Sequence, residues 1–394
     1  MPEQLQELAI VRCVLDFFLV HPYQSKHHFP LPNHLYMRKI YFFICLFAFA
    51  LLFSTPSLAQ GCVAIRGTGT VCSKFTPAET ETKSWQLNTG YRYFKSFRHF
   101  RGSHEEKERL QQNTEVINWQ HTLDLSVVRI FNIRWSVLAG LPILANSRSS
   151  LYEHGGQSRH RTESFGIGDA RLVAYRWMLN PAKNTKGNFQ LGLGIKLPTG
   201  EEGYQDYFYN VGPGGTKELR SVDQSIQLGD GATGIITELN GFYNFSPRFG
   251  AYTTLYYLTT PQEVNGVNTF RRNANESIMS VADQYLARLG VNYGLPSLHG
   301  FSILVGGRVE GIPAEDLIGG SEGFRRPGYV ISVEPGINYM AKKWNYFLTV
   351  PVALERNRTQ SVPDKEATKT TGTLRHGDAA FADYAINAGV SIRF

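Results

Sequence analysis

Beyond residue 53 the sequence has no apolar run of the roughly 20 residues that a membrane-spanning helix needs. A bundle of transmembrane helices is therefore excluded for most of the chain. Charge of one sign is also not concentrated anywhere: the net charge is +7 over 394 residues, without a basic stripe. We therefore expect no nucleic-acid partner.

Cysteine is scarce, with four in the whole chain, and two of these lie in the first 59 residues. The remaining pair, Cys62 and Cys72, stands in the segment GCVAIRGTGTVC. In an exported chain two nearby cysteines favour a disulfide. A metal site would need a second pair of ligands, and we expect neither a metal nor a cofactor.

Export is indicated by a basic pair, Arg38 and Lys39, followed by the apolar run IYFFICLFAFALLF and then by small residues. This order predicts a signal peptide over residues 37–59, cleaved before Gln60. A lipoprotein signal is a competitor because Cys62 follows closely, but Ala59 stands where a lipoprotein site usually has leucine. Residues 1–36 precede this complete signal, and we interpret them as a start-site artefact. Residues 60–83 are then a periplasmic segment that either plugs the barrel or links to it.

From residue 84 to residue 394 the chain is rich in aromatic residues and glycine, and its apolar residues alternate with polar ones. A period of two is typical of strands with one apolar and one polar face. About twelve such segments can be counted, including WQLNTGYRY, FQLGLGIKL, YLARLGVNYGL and WNYFLTVPVAL. Val173 and Tyr175 fall on the apolar face of another segment. Long polar connections, the first of which follows Tyr93, alternate with short turns around Arg129–Ile130 and at SPR, PSLHG and AKK.

This pattern predicts an all-β fold: a transmembrane antiparallel up-and-down β-barrel of about 12 strands in the bacterial outer membrane. Both termini are expected in the periplasm and the long loops outside the cell. A soluble β-sandwich is the competing fold, but it does not require such regular alternation. The C-terminal stretch NAGVSIRF then forms the closing strand, which leaves no unpaired edge in hydrocarbon. With Asn387, Gly389, Ile392 and Phe394 it resembles the signal that such barrels present to the barrel-assembly machinery.

Charged residues on the inward positions of these strands must face water or one another. We predict that they line the lumen, either of a polar pore or of a closed barrel braced by mutually neutralised charges. The candidates are Arg92, Asp124, Arg134, Arg176, Lys196, Glu238, Arg288, Arg308, Glu310, Glu334 and Glu355. The balance of signs argues against strong ion selectivity.

Three glycine-rich segments, SFGIGDARLVAYR, GIKLPTGE and LGDGATG, resemble the outer-membrane channels labelled as transporters of the phenol meta-degradation pathway. The resemblance extends over residues 85–394. It implies a channel or transporter for small solutes, including hydrophobic or aromatic ones, with outer-membrane lipid as its surroundings. Asp169 and Asp230, in Gly-Asp pairs within these segments, are expected to hold turns rather than to bind calcium.

Two other functions compete with transport. Some barrels of this size cleave lipids, and His121 falls on the lipid-facing side of its strand with Thr89 as a potential neighbour. No supporting serine and acid or nucleophile-elbow motif is evident, so we expect no catalytic activity. A surface-binding or structural role with a closed lumen is the other alternative.

Overall fold

The computed structural model describes residues 83–394. The predicted start-site artefact, signal peptide, disulfide between Cys62 and Cys72, and periplasmic plug concern residues before these and so lie outside the described residues. No helix within the described range is both long and apolar enough to span a membrane.

Nineteen strands, two α-helices and four short 3₁₀-helices account for the regular structure of the described residues. The strands are β1 (Ser84–Arg101), β2 (His104–Glu105), β3 (Ile117–Ile130), β4 (Trp135–Ser150), β5 (His160–Ile167), β6 (Ala170–Trp177), β7 (Gly187–Leu197), β8 (Gln205–Phe208), β9 (Glu218–Ser221), β10 (Gly234–Asn244), β11 (Phe249–Thr259), β12 (Val264–Asn268), β13 (Ile278–Ser280), β14 (Gln284–Gly294), β15 (Phe301–Ile312), β16 (Gly328–Ala341), β17 (Trp344–Thr349), β18 (Val352–Arg358) and β19 (Ala379–Arg393). The α-helices are α1 (Glu108–Gln111) and α2 (Val362–Thr371).

Twelve antiparallel barrel strands form a closed barrel. Two of these barrel strands are each interrupted once, so that β5 with β6 make one barrel strand and β17 with β18 make another. Closure is made by β1 and β19, which pair from Gln86 and Arg393 to Phe100 and Ala379. At the last residue, Phe394 exchanges two backbone hydrogen bonds of 2.8 and 2.9 Å with Trp85. The prediction of a twelve-stranded barrel that the C-terminal strand closes is therefore confirmed.

Apolar side chains cover the outside of the barrel, as the alternating pattern predicted. Leu193 is 65% exposed and Leu289 is 60% exposed, although both lie in the middle of strands. Their neighbours along the chain point inward and are polar or glycine: Arg288, for example, is 3% exposed. A predominantly apolar outer surface of this kind is stable in contact with lipid chains and not with water.

The two ends of the barrel carry different connections. Residues 131–134, 178–186, 245–248, 295–300 and 342–343 form short connections, and we call this end the short-turn end. Residues 102–116, 151–159, 198–233, 260–283, 313–327 and 359–378 connect strands at the opposite, long-loop end. The alternation agrees with the sequence pattern, and the placement of the long loops outside the cell remains a prediction.

The long loops contain the small secondary elements. Two hairpins, β8–β9 and β12–β13, stand apart from the barrel sheet. Helix α2 begins with a capping box, in which the Ser361 hydroxyl accepts from the Asp364 N–H and the Asp364 carboxylate accepts from the Ser361 N–H. It ends at Gly372, whose φ of +65° is the left-handed conformation that glycine adopts without strain.

Three local predictions are wrong. The turn between β3 and β4 lies at residues 131–134, not around Arg129–Ile130, so Phe131 and Ile133 belong to the turn. The lipid-facing assignment of Val173 and Tyr175 is also wrong, because both are buried inside the barrel. The sequence pattern predicts a loop after Tyr93. In the structure β1 instead continues to Arg101, because β19 pairs with it as far as Phe100.

Candidate functional site: the barrel lumen and its inner loop

A chain of alternating charges crosses the inner face of the barrel. Arg288 donates to Glu334 through two hydrogen bonds of 2.9 and 3.0 Å, and Arg308 lies 3.9 Å from the same carboxylate. Arg308 also forms an ion pair with Glu310 at 2.7 Å, and the Glu310 carboxylate accepts a hydrogen bond of 3.0 Å from Arg92 of β1. We call these five residues the charged network. Because β1 and β15 are not neighbours in the sheet, the contact between Arg92 and Glu310 bridges part of the lumen.

Uncharged polar side chains from neighbouring strands also form hydrogen bonds with the charged network. The Thr349 hydroxyl donates to Glu334 at 2.8 Å, and the Asn387 amide donates to Thr349 at 3.3 Å. Buried charges are tolerated only when opposite charges and hydrogen bonds compensate the loss of water. The five lumen candidates on these strands thus lie side by side on the inner face, as a braced arrangement rather than as free charges.

A second region of the lumen is apolar. Side chains from β4, β6, β10, β11 and β14 meet there and are buried: Leu138, Val173, Tyr175, Ile236, Tyr256, Leu258 and Leu286. At its edge the Tyr175 hydroxyl donates to Glu238 at 2.8 Å, and Arg171 contacts Asp124 at 2.6 Å. The alternation of the sequence predicts Glu238 and Asp124 at the lumen, but it carries no signal for Arg171 or for this apolar cluster, because apolar residues are expected on the outer face.

Residues 223–229, in the connection between β9 and β10, fold into the mouth of the barrel, and we call them the inner loop. Inner-wall side chains hold its backbone: Gln120 donates to the Ser225 carbonyl at 2.7 Å, and Ser164 donates to the Ile226 carbonyl at 2.5 Å. The Ile226 side chain is fully buried. The inner loop therefore narrows the lumen at the long-loop end.

An ion-pair clamp fixes the start of the inner loop. The Asp223 carboxylate accepts two hydrogen bonds from Arg326, at 2.8 and 2.6 Å, and lies 3.5 Å from Arg148 of β4. Burial by itself would raise the pKa of Asp223, but the charges of Arg148 and Arg326 outweigh it and hold that pKa well below its usual range. The clamp joins the inner loop to the barrel wall and to the loop between β15 and β16.

Beneath the inner loop lies a cavity of about 100 Å³, which we call the lumen cavity. Its lining combines polar and apolar side chains, among them Arg171, Lys196, Gln224, Gln227, Ile236, Tyr256, Leu258 and Met279. The Tyr256 hydroxyl makes no side-chain hydrogen bond to another described residue, whereas Lys196 contacts both Asp230 and Asp169. A small molecule in this cavity would contact the ring and the hydroxyl of Tyr256 and the side chains of Arg171 and Lys196, which are already paired with carboxylates.

Asp169 and Asp230 support the turns around this cavity. Asp169 accepts from the Gly200 N–H at 3.1 Å and from the Asp230 N–H at 3.3 Å. Asp230 accepts from the Ala232 N–H at 3.1 Å. Within residues 83–394 no cluster of three or more acidic, histidine or cysteine side chains is arranged to hold a metal. These contacts agree with the predicted turn role.

The hydrogen-bonded wall is weakest between β18 and β19, which share a single pair, Val352 with Tyr384. Beyond it the Arg356 side chain contacts Asp383 at 2.7 Å in place of backbone pairing. A cavity of about 60 Å³ lies at this break, with Tyr384 on its wall side and Glu310 of the charged network on its lumen side.

Three predicted lumen residues lie elsewhere. Arg134 is in the turn between β3 and β4, beyond the end of the strand. Arg176 is exposed on the outer face, 5.3 Å from the centre of the Trp135 ring, because β6 has the opposite register from the one expected. A bulge between Ile331 and Ser332 pairs Glu355 with an outward residue, and Glu355 is exposed.

The residues of the predicted assembly signal occupy defined positions in the closing strand. Asn387 is buried and inward, and Gly389 lies against the Phe347 ring, where a larger side chain would collide. Ile392 pairs with Leu87, and Phe394 is exposed at the short-turn end. Recognition of this motif by the assembly machinery remains a prediction.

His121 lies on the outer face as expected, but its partner is not Thr89, which pairs with Leu125. Its Nδ1 instead lies 2.7 Å from the Tyr91 hydroxyl. In the long loops, Ser158 contacts His160 Nε2 at 2.8 Å, yet no described carboxylate contacts the other ring nitrogen of His160. Neither histidine therefore has the serine and acid partners of a hydrolase triad among the described residues.

No protein-family model and no curated protein matches the sequence. Solved structures do resemble the fold. An outer membrane channel from Pseudomonas putida F1 has a TM-score of 0.52 and 12% identity, over 81% of this chain and 99% of that one. The toluene transporter TodX of Pseudomonas putida has a TM-score of 0.41 and 9% identity, over 86% and 96% of the two chains.

The fold shared with the channel from Pseudomonas putida F1 agrees with the barrel closure and the apolar outer surface described above. The predictions of an outer-membrane barrel and of a location in the bacterial outer membrane are confirmed at the level of the fold. The described chain is a twelve-stranded outer-membrane β-barrel.

Proposed function

We propose that this protein is an outer-membrane channel for small solutes that carry an apolar or aromatic body. The observation that carries the proposal is the lumen cavity, which is lined both by Tyr256, Ile236 and Leu258 and by the basic side chains of Arg171 and Lys196. A concave site with apolar walls and a few placed polar groups is the usual form of a small-molecule site.

The basic side chains of the cavity are paired with carboxylates, so the cavity favours an uncharged solute. Arg171 is paired with Asp124, and Lys196 with Asp230. A strongly charged ion would have to separate one of these pairs, whereas an uncharged molecule would not. The aromatic wall and the free Tyr256 hydroxyl favour a neutral solute with one hydrogen-bonding group.

The inner loop acts as the gate of this channel. It covers the cavity from the long-loop end and is held by hydrogen bonds and by the clamp at Asp223 rather than by a covalent link. Such contacts can exchange with water on opening, so the loop can admit a solute and close again. The opening of a loop that covers a site occurs between about microseconds and seconds.

The wall break between β18 and β19 offers an apolar solute a lateral exit that passes beside Arg92 and Glu310 at the edge of the charged network. A disulfide between Val352→Cys and Tyr384→Cys, which join the two strands, would close this route. If the exit is used, the cross-link lowers uptake of an apolar solute and reduction restores it. Unchanged uptake in the oxidised variant would exclude the lateral exit while leaving the lumen cavity as a candidate site.

Uptake by intact cells tests the channel itself. A labelled neutral monoaromatic compound is supplied at a concentration at which diffusion through the outer membrane is limiting. Cells that make the protein should accumulate it faster than cells that lack it, and Tyr256→Ala should lower this gain. Tyr243→Ala, on the outer face of β10, is the matched control. Equal uptake with and without the protein would reject the proposed function.

A further inference from the structure

An unusual group of basic and aromatic side chains lies on the outer wall at the long-loop end, on β1, β3 and β5. The Lys95 ammonium stands 4.8 Å from the centre of the Phe97 ring and 5.7 Å from that of Trp119. The Arg161 guanidinium stands 4.5 Å from the same Trp119 ring. We call Lys95, Trp119 and Arg161 the outer basic cluster.

The contacts of both cations in this cluster are with aromatic rings. Among residues 83–394 neither Lys95 nor Arg161 forms an ion pair with a carboxylate, although Glu163 lies on the same outer face. Inside the barrel, by contrast, cations such as Arg288 and Arg171 are paired. Two unpaired positive charges beside an indole ring form a site for an anion.

The register places this cluster at the edge of the apolar belt. Trp119 pairs with Lys95 on one side and Ser147 on the other. Two residues further toward the barrel centre His121 pairs with Ala145, and beyond that the outer face becomes apolar with Leu123. The cluster therefore stands at the depth where lipid headgroups meet acyl chains, where aromatic girdles are found.

The strand register implies a shallow groove with small residues as its floor, which descends from the cluster. Ser147 and Ala145 of β4 lie between the larger side chains of β3 and those of β5, which are Glu163 beside Ser147 and Phe165, 70% exposed, beside Ala145. An acyl chain fits along this floor while its headgroup reaches Lys95 and Arg161. An anion without an apolar tail would use only the upper part of the site.

We propose that the outer basic cluster and the groove below it bind a phosphate-bearing lipid of the outer leaflet, of the lipopolysaccharide class. The charge of the site selects phosphate, and the groove selects a lipid over free phosphate. The assignment to the outer leaflet rests on the long loops facing the outside of the cell. It does not require the lumen to conduct, so its failure and the failure of the channel proposal are separate results.

The barrel offers a matched control at its opposite end. Arg129 stands 4.7 Å from the centre of the Trp85 ring, and Arg176 stands 5.3 Å from that of Trp135. Each control pair has one cation on its ring, whereas Lys95 and Arg161 share the Trp119 ring, so the control pairs carry the same residue types at the short-turn end without the two-cation site. Lys95→Gln with Arg161→Gln removes the proposed site, and Arg129→Gln with Arg176→Gln removes the control pairs.

The full-length chain in detergent is titrated with diphosphorylated lipid A, and bound lipid is counted by native mass spectrometry. Because basic residues near a membrane surface strengthen the binding of anionic lipid, the double variant at Lys95 and Arg161 should bind roughly tenfold or more weakly. The control variant should bind within about twofold of the unmodified protein, as expected when no phosphate contact is lost. Should the double variant fail to fold, the two single variants give the same comparison.

Two further titrations complete the test. Lipid A without its phosphates should bind weakly to the unmodified protein, and phosphatidylglycerol should bind less tightly than diphosphorylated lipid A. Equal affinities of the double variant and the control variant would overturn the site. Equal binding of lipid A with and without phosphate would overturn the recognition of phosphate, and a preference for phosphatidylglycerol would overturn the outer-leaflet assignment.

Discussion

Arg288 and Glu334 face each other inside the barrel through two hydrogen bonds of 2.9 and 3.0 Å, and each side chain is only 2% exposed. Glu334→Gln removes the negative charge that Arg288 faces. Breaking a buried pair by changing one partner costs about 3–5 kcal/mol, so we expect the free energy of unfolding in lipid vesicles to fall by that order. Replacing both residues by leucine should cost less than this single change. A Glu334→Gln variant as stable as the control Lys343→Gln, in a short turn, would contradict the bracing role.

The outer surface gives a prediction about the membrane. Leu289→Lys places a charge on an outward position in the middle of β14. A lysine at the bilayer midplane destabilises an outer-membrane barrel by about 2–4 kcal/mol, which urea titration of the barrel folded into vesicles can measure. Leu298→Lys, at an exposed position of the short turn between β14 and β15, is the control and should cost far less. Equal losses would show that Leu289 does not contact acyl chains.

Tyr256 tests the lumen cavity as a binding site. Tyr256→Phe keeps the ring and removes the hydroxyl that faces the cavity. One hydrogen bond contributes about 0.5–1.5 kcal/mol, so the half-saturating concentration for uptake of a hydroxylated aromatic solute should rise about twofold to thirteenfold. For a solute without the hydroxyl the same variant should behave like the unmodified protein. A rise of equal size for both solutes would indicate a change of cavity shape rather than a lost hydrogen bond.

A buried histidine makes one outer loop sensitive to pH. His154 Nδ1 accepts from the Tyr209 N–H at 3.0 Å, and its ring stacks on Phe208 with centres 5.3 Å apart. Burial lowers the pKa of His154 below its ordinary value of 6.5, so the neutral ring stabilises the folded loop. This stabilisation is present above pH 6.5 and is lost as the pH falls toward the pKa of the folded state.

Hydrogen exchange measures this effect in residues 205–221. After correction for intrinsic rates, we expect these amides to be protected at pH 8 and to exchange faster at pH 5. His154→Gln, which keeps a hydrogen-bond acceptor and does not titrate, should remove the difference between the two pH values. Equal protection of the unmodified loop at both pH values would contradict the role of His154.

The sequence predicts the outer surface of the barrel well because lipid imposes one simple requirement on every strand. Leu193 and Leu289 follow from the period of two, and the pairing of β1 with β19 follows from the need to leave no edge. Inside the barrel the requirement is different, since packing and charge pairing can both fill a lumen. Val173 and Tyr175 are apolar and inward, so periodicity assigned them to the wrong face.

The inner loop has no comparable signal in the sequence. Asp223 and Arg326 are 103 residues apart, and each stands in a polar connection without periodicity. Their pairing depends on the order of the strands around the closed barrel, which brings the β9–β10 and β15–β16 connections together at the same end. The prediction that Glu355 faces the lumen is wrong for a similar reason, because a bulge shifts the strand register locally and the sequence carries no signal for it.

The current through single molecules in planar bilayers tests the central claim, that a lumen closed by the inner loop conducts when the loop is released. Asp223→Asn removes the charge that Arg148 and Arg326 hold, and the loop should then spend more time open. We expect brief openings of the unmodified protein between pH 5 and 8 and longer openings of the variant in the same range. Silence of both proteins, or identical currents from both, would contradict this account.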